Sequence, residues 1–408
     1  MTPPATTAGR DADPWRLVPA LGIAQIISWG ALYYAIAVLG AAIGADLGLS
    51  PAHVFGAYSV GLLLSGLIAP MAGRAIDRHG GRIVLTTGSV VAALALFWLA
   101  RAASALEYYF AWCLGGVAMG LMLYDPAFAT LSQHFGTSYR KALTALTLFG
   151  GFASTVFWPL AQQGLVHLGW RDTLAAFAVL ELTVCLPLHW WLIPARGRTE
   201  RADSADEREG AERPQASITS PPFVALAASF ALNAFVFSAM SAHLIGMMRG
   251  GGITADDAVW IAALIGPMQV LGRIVEITFG RNLRAATVGV IALCLLIASM
   301  LILLAGTGIS AGAALVFAVF YGLSNGVMTI VRGTAPAEFF GRAAYGSLLG
   351  RLAAPSLVAR AAAPVALASL AAPQVSPQGS ILVLLLLAAL SAASFIVAIR
   401  LAHRSAHR

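Results

Sequence analysis

Lysine is almost missing from this chain. Lys141 is the only one, and Asp, Glu, Lys and Arg together make up 11% of the 408 residues. A soluble domain carries roughly 25% charged residues, so an ordinary soluble surface is excluded. Disorder is excluded for the opposite reason, because a chain that is 59% apolar has too much hydrophobic surface to stay solvated. Cysteine is scarce too. Cys113, Cys185 and Cys294 stand far apart, each inside an apolar stretch, and read as small buried side chains, not as disulfide or zinc partners. P-loop spacing is absent, so ATP is not the driving force. No spaced His/Glu metal set or Ser/His/Asp arrangement stands out, which speaks against an embedded enzyme, and no cofactor is expected. The formal net charge of +7 comes without a long basic run, so it does not signal nucleic acid.

What the chain does have is apolar length. Segments fall near 17–43, 53–75, 83–103, 105–131, 142–166 and 172–194, then near 221–247, 256–278, 285–306, 310–334, 343–371 and 379–400. Each can cross a bilayer as a helix of roughly 20 residues. Membrane strands would be short and alternating, whereas these runs are long and continuously apolar. The expectation is an all-α membrane protein. Twelve transmembrane helices form two six-helix bundles related by a pseudo-twofold axis. The boundaries read as a cytoplasmic tail 1–16, an N-terminal bundle 17–194, a linker 195–220, a C-terminal bundle 221–400 and a cytoplasmic tail 401–408. The linker mixes charges of both signs with Pro214, Pro221 and Pro222, the composition of a flexible connection. The apolar run behind the polar first 16 residues is too long for a signal peptide and reads as a retained span.

Orientation follows from arginine. Most of the 25 basic residues fall in loops on the side of both termini, and only Arg101, Arg171 and Arg249 fall on the other. That imbalance predicts both termini in the cytoplasm. The location expected is the bacterial inner (plasma) membrane.

The halves read as repeats. Ser50 before Pro51, and Thr254 ahead of Asp256 and Asp257, look like helix caps that align at an offset of 204. A competing offset of 199 aligns Gly73-Arg74-Ala75-Ile76-Asp77 with Gly272-Arg273-Ile274-Val275-Glu276. We prefer the first, because it keeps the paired helices equal in length.

The loop after the second segment reads Gly73-Arg74-Ala75-Ile76-Asp77-Arg78-His79-Gly80-Gly81-Arg82. Its glycines permit a tight reversal, and Asp77 can pair with arginine or a helix N-terminus. With the six-plus-six plan, this resembles the major facilitator superfamily, whose signature here is Gly-x-x-x-Asp-Arg-x-Gly-x-Arg. Gly73, Asp77, Arg78, Gly80 and Arg82 carry the match. The resemblance implies alternating access around a cavity lined mainly by the first, fourth, seventh and tenth helices, with help from the second, fifth, eighth and eleventh.

Polar groups on those helices are the site candidates, since charge at membrane depth marks pathways, pairs or gates. For substrate binding they are Arg273 and Arg351, with Gln269, Asn325, Tyr33, Tyr34, Trp158 and Asn233. For coupling or gating they are Asp77, Arg78, Arg82, Asp125, Glu276 and Arg332. Arg351 sits about 12 Å in from the inner end of its helix and Arg360 about 25 Å in, near the external mouth. Arg332 falls at the inner end of the tenth segment, where a gate or a snorkelling role is expected. Arg273 divides between an anion site, a gate pair with Glu276 or Asp125, and packing. Glu181 lies mid-depth in the sixth segment and His243 near the outer end of the seventh.

A buried guanidinium can grip a carboxylate with two parallel hydrogen bonds. An arginine in the eighth helix is similar to the oxalate/formate antiporter and monocarboxylate porter branches of the superfamily. The former also uses a second cation in the eleventh helix, where Arg351 is the nearest match. Monocarboxylate porters carry an aspartate four residues before the arginine, where this chain has Gln269.

The expected function is secondary active transport of a small organic anion, a mono- or dicarboxylate, coupled to protons or by exchange. Two alternatives remain open: proton-coupled efflux of drug-like or amphiphilic compounds, and a transporter-derived receptor that binds without moving its ligand. Expected partners are a small-molecule substrate, membrane lipid and protons as coupling ion. No nucleic acid is expected, and the working unit is a monomer.

Overall fold

The computed structural model describes residues 14–135, 138–194, 220–280, 283–305, 310–340, 345–370 and 377–406. Most of the expected linker and the first 13 residues lie outside the described residues. Among those described, twelve helices are long and apolar enough to span a membrane. They are α1 (Leu17–Leu47), α2 (Pro51–His79), α3 (Gly81–Arg101), α4 (Ala105–Ser132), α5 (Lys141–His167) and α6 (Gly169–Leu192) in the first half. The second half holds α7 (Pro221–Gly250), α8 (Ala255–Gly280), α9 (Ala285–Leu304), α10 (Ala311–Phe340), α11 (Leu348–Ser369) and α12 (Gln378–Arg404).

The helix starts follow local chemistry. Ser50 Oγ accepts the amide of His53, with Pro51 opening α2. Thr254 Oγ1 accepts the amide of Asp257 at the start of α8. Ser104 Oγ accepts from the amide of Glu107 at the start of α4, and the Glu107 carboxylate accepts from the amide of Ala103 just before that cap. Both caps read from the sequence are therefore present.

The two halves pack alike. In the first, α1 meets α5 and α6, α2 meets α4, and α3 meets α4 and α6. In the second, α7 meets α11 and α12, α8 meets α10, and α9 meets α10 and α12. The repeat extends to single backbone contacts. Gly116 and Gly120 of α4 rest on the carbonyls of Gly61 and Ser65, at 2.3 and 2.7 Å from an added Cβ. Gly322 and Gly326 of α10 rest on the carbonyls of Ile265 and Gln269, at 2.8 and 2.1 Å. Gly61 and Ser65 thus correspond to Ile265 and Gln269 at an offset of 204, which decides the register. Arg273 has Ala69 as its counterpart and belongs to one half only.

The halves meet through α1 against α7, α2 against α11 and α5 against α8. The apolar core shows how far they meet. At the end away from the start of α1, one continuous cluster includes Leu39, Tyr58 and Phe157 of the first half with Met240, Phe317 and Leu367 of the second. Toward the end where α1 begins and α12 finishes, the core divides. Leu21, Ile76, Leu85 and Leu146 form one cluster, and Phe230, Leu293, Val331 and Phe395 form a separate one. The two bundles are joined at one end and part toward the other.

The signature loop is tied within its own bundle. Gly80 ends α2 with φ of 83° and ψ of 160°, a conformation essentially reserved for glycine. The Gln133 side chain donates to the Ile76 carbonyl at 2.9 Å, and Arg82 Nε donates to the Ile193 carbonyl at 2.7 Å. The loop thereby fastens α2 and α3 to the ends of α4 and α6. Gly80→Ala is expected to lose about 1–3 kcal/mol of stability, read as a lowered thermal midpoint in detergent.

Candidate functional site

The interior between the bundles is walled by aromatic rings. Trp29, Tyr33 and Tyr34 come from one stretch of α1, where the wide π-turn Gly30–Tyr34 presents neighbouring side chains together. Trp29 packs on Tyr33 and on Tyr124 of α4, each at 5.0 Å between centroids. Tyr34 meets Tyr33 at 5.1 Å and Trp158 of α5 at 5.3 Å, while Tyr58 of α2 lies 5.9 Å from Tyr33. Hydrogen bonds hold the rings. Trp158 Nε1 donates to the Tyr34 carbonyl at 3.1 Å, Tyr58 donates to the Tyr33 carbonyl at 3.1 Å, and Trp29 Nε1 donates to Gln25 Oε1 at 2.9 Å. Gly150 makes the room for Tyr124, since any Cβ there would fall 2.0 Å from its hydroxyl.

Arginines complete the enclosure. Arg273 of α8 is 5% exposed. Its Nη1 donates to the Thr147 carbonyl on α5, its guanidinium faces the hydroxyls of Tyr34 and Tyr124, and its Nε is buried without a partner. Arg332 of α10 donates from Nη2 to Asn233 Oδ1 on α7 at 2.9 Å, leaving Arg332 Nε and Asn233 Nδ2 both buried and unsatisfied. Arg360 of α11 lies within electrostatic reach of Tyr34, Tyr58 and Arg332. None of the three forms an ion pair with a carboxylate among the described residues.

The sequence candidates distribute unevenly around this centre. Tyr33, Tyr34, Trp158, Asn233 and Arg273 converge on it. Gln269 is buried one turn before Arg273, where its carbonyl seats Gly326. Asn325 is half-buried on α10, and Glu276 is half-buried at a wide turn ending α8. Arg351, Asp77, Arg78 and Asp125 are exposed. The expected gate pair of Arg273 with Glu276 or Asp125 is replaced by the main-chain acceptor of Thr147, which no side-chain pattern announces. Arg332 is not at a helix end, because α10 runs on to Phe340. Its guanidinium therefore turns inward to Asn233 and does not snorkel. Arg360 is half-buried and within electrostatic reach of the ring cluster. Tyr58 was not a candidate at all, although its spacing on α2 could have marked it.

No group of three or more metal-ligand side chains gathers among the described residues. The family model of the Major Facilitator Superfamily matches residues 21–350. The chain belongs to the Major Facilitator Superfamily. It is therefore an integral multi-pass membrane protein of this superfamily. The Agnestins efflux protein AgnL12 of Paecilomyces divaricatus is 26% identical over 285 residues, 68% of this chain and 62% of that protein. Monocarboxylate transporter 13 of Rattus norvegicus is 25% identical over 289 residues, 69% of this chain and 65% of its own. The chain thus spans under two thirds of these curated relatives. Among solved structures, a bacterial homolog of the human lysosomal transporter Spinster, inward-facing and unoccupied, superposes with a TM-score of 0.75. It is 14% identical, over 97% of this chain and 99% of that one. The nucleoside transporter NupG gives 0.68 at 13% identity, over 94% and 98%. At these identities the superfamily fold is shared and nothing about cargo follows.

Proposed function

We propose that this superfamily member carries a small organic anion, a mono- or dicarboxylate, coupled to protons or by exchange. The observation that carries the reading is the set of three interior arginines, Arg273, Arg332 and Arg360, with no acidic partner among the described residues. Buried guanidinium without a counter-ion is costly, and a bound anion supplies what the protein withholds. Arg273 offers a free Nε beside two tyrosine hydroxyls, donors suited to a carboxylate. The similarity to a protein named a monocarboxylate transporter points the same way.

In this reading both termini are cytoplasmic, the bundles 17–194 and 221–400 rock as units, and the divided end of the core faces the cytoplasm. The protein works as a monomer in a bacterial inner membrane. A second reading, efflux of an amphiphilic compound, draws on the rings of Trp29, Tyr34 and Trp158 and on the similarity to a named efflux protein.

A thermal-stabilisation screen on the purified protein separates the two. Mono- and dicarboxylates are compared with hydrophobic cations at several pH values. Stabilisation by carboxylates is expected. Stabilisation by hydrophobic cations alone would overturn the anion reading.

A further inference from the structure

We propose that Glu181 is the proton-binding group of this transporter, reached from the end where α1 begins through Cys185 and His189. This deepens the reading above by naming where the coupling proton sits, and it does not depend on which anion is carried.

Glu181 stands midway along α6 and is 0% exposed, and neither carboxylate oxygen has a hydrogen-bond partner. The polar groups facing it are Ser28 of α1 and Cys185 of its own helix, and no cation among the described residues does. Several other acids beside the spans have partners. Asp46 pairs with Arg171, Glu338 pairs with Arg284, and Asp256 accepts from Gln162. Asp125 is open to its surroundings. Among the described residues Glu181 is the only acid that is fully buried, and it has no ion pair. A carboxylate sealed away beside only a hydroxyl and a thiol, with no cation, is far costlier charged than neutral. Such a group is kept by exchanging a proton, not by holding a permanent ion pair.

A route accompanies it. The sixth helix contains two wide π-turns, Glu181–Cys185 and Leu188–Leu192, a feature frequent at functional sites. Widened turns keep residues four apart nearly in line, and Glu181, Cys185 and His189 are all 0% exposed. Cys185 meets Ser28 Oγ at 3.8 Å. His189 Nδ1 bonds Ser89 Oγ of α3 at 2.8 Å, while its Nε2 is buried without a partner. His189 is one turn from the end of α6. The cation there is Arg82, already bonded to the Ile193 carbonyl and lying 5.9 Å over the Trp190 ring.

The site also touches the cargo region. Ser28 directly precedes Trp29 and the π-turn carrying Tyr33 and Tyr34. A change of charge at Glu181 therefore acts on the aromatic wall through α1.

The test is infrared spectroscopy of the purified protein through a pH titration, with the proton itself as the probe. The wild type is expected to show a carboxylic-acid carbonyl band that falls as pH rises. Glu181→Gln, nearly isosteric, is expected to lose that band. Glu181→Asp keeps a titrating band with a changed midpoint. Solvent-deuterium exchange of the band is expected to slow in His189→Leu. A titrating band unchanged in Glu181→Gln, or none in the wild type, overturns the site. Unchanged deuterium exchange in His189→Leu overturns the route. A carboxylate screen without hits would sink the anion reading and leave every one of these outcomes as stated.

Discussion

Arg273→Gln lowers carboxylate affinity by about 10- to 100-fold, while the empty protein becomes no less stable or melts higher. Both halves of this result come from the same geometry. A hydrogen bond to a charged group contributes about 1.5–3 kcal/mol, and every 1.4 kcal/mol is tenfold in a dissociation constant. Without cargo, the guanidinium is 5% exposed, with Nε unpartnered and no carboxylate beside it among the described residues. Removing that charge relieves a desolvation cost and forfeits the bond to the Thr147 carbonyl. Arg273→Lys keeps the charge but loses the planar fork, so it falls between. Binding is measured by titration calorimetry with the strongest carboxylate from the screen, and stability by thermal unfolding in detergent. A large loss of stability in Arg273→Gln with affinity intact would make the residue a packing element and end its role at the site.

Gly266→Ala costs about 1–3 kcal/mol, the range for overpacking a well-filled contact, and collapses transport turnover. A Cβ at this position of α8 would lie 2.0 Å from Thr155 Oγ1 and 2.6 Å from the Gly151 carbonyl on α5. The clash is therefore at the crossing that joins the bundles, where Thr155 Oγ1 also donates to the Ala263 carbonyl at 2.8 Å. Forcing the helices apart also pulls Arg273 from Thr147, two turns farther along. Thr155→Ala removes the hydroxyl and restores part of the loss. The Gly151 carbonyl still blocks the rest. A double-mutant cycle on thermal stability and turnover reads the coupling between positions 155 and 266. Strict additivity would show that the crossing yields without strain.

Membrane class, helix number and helix starts were legible because they depend on local quantities. Twelve long apolar runs, with arginine gathered in the turns on one side, can be accommodated only as spans. Ser50 and Thr254 cap their helices through atoms three residues away. The signature loop was legible because its glycines serve a turn that is local too. The N-cap offset even pointed to the correct register, which Gly61, Ser65, Ile265 and Gln269 then decided through backbone contacts with another helix.

The candidate site was legible in its residue types and only partly in its membership. Which side of a helix faces the other bundle depends on rotation and depth, and both are set by packing between residues over a hundred positions apart. That Arg360 comes within electrostatic reach of Tyr34 and Tyr58 could not be read by counting along one helix. Arg351, put in the pocket by counting along its helix, has an exposed side chain, and exposure alone does not say whether it lines the cavity. Arg332 sits inside its helix and reaches Asn233, because α10 extends past it by two turns. Glu181 was visible as a mid-depth acid, but its isolation depends on what α1 and α3 bring against α6. Composition and periodicity thus determined a twelve-helix membrane protein, and the Gly73–Arg82 loop carried its resemblance to the superfamily. The tertiary structure decided which charges meet and which acid is left alone, because burial and partnership belong to surfaces that only packing brings together.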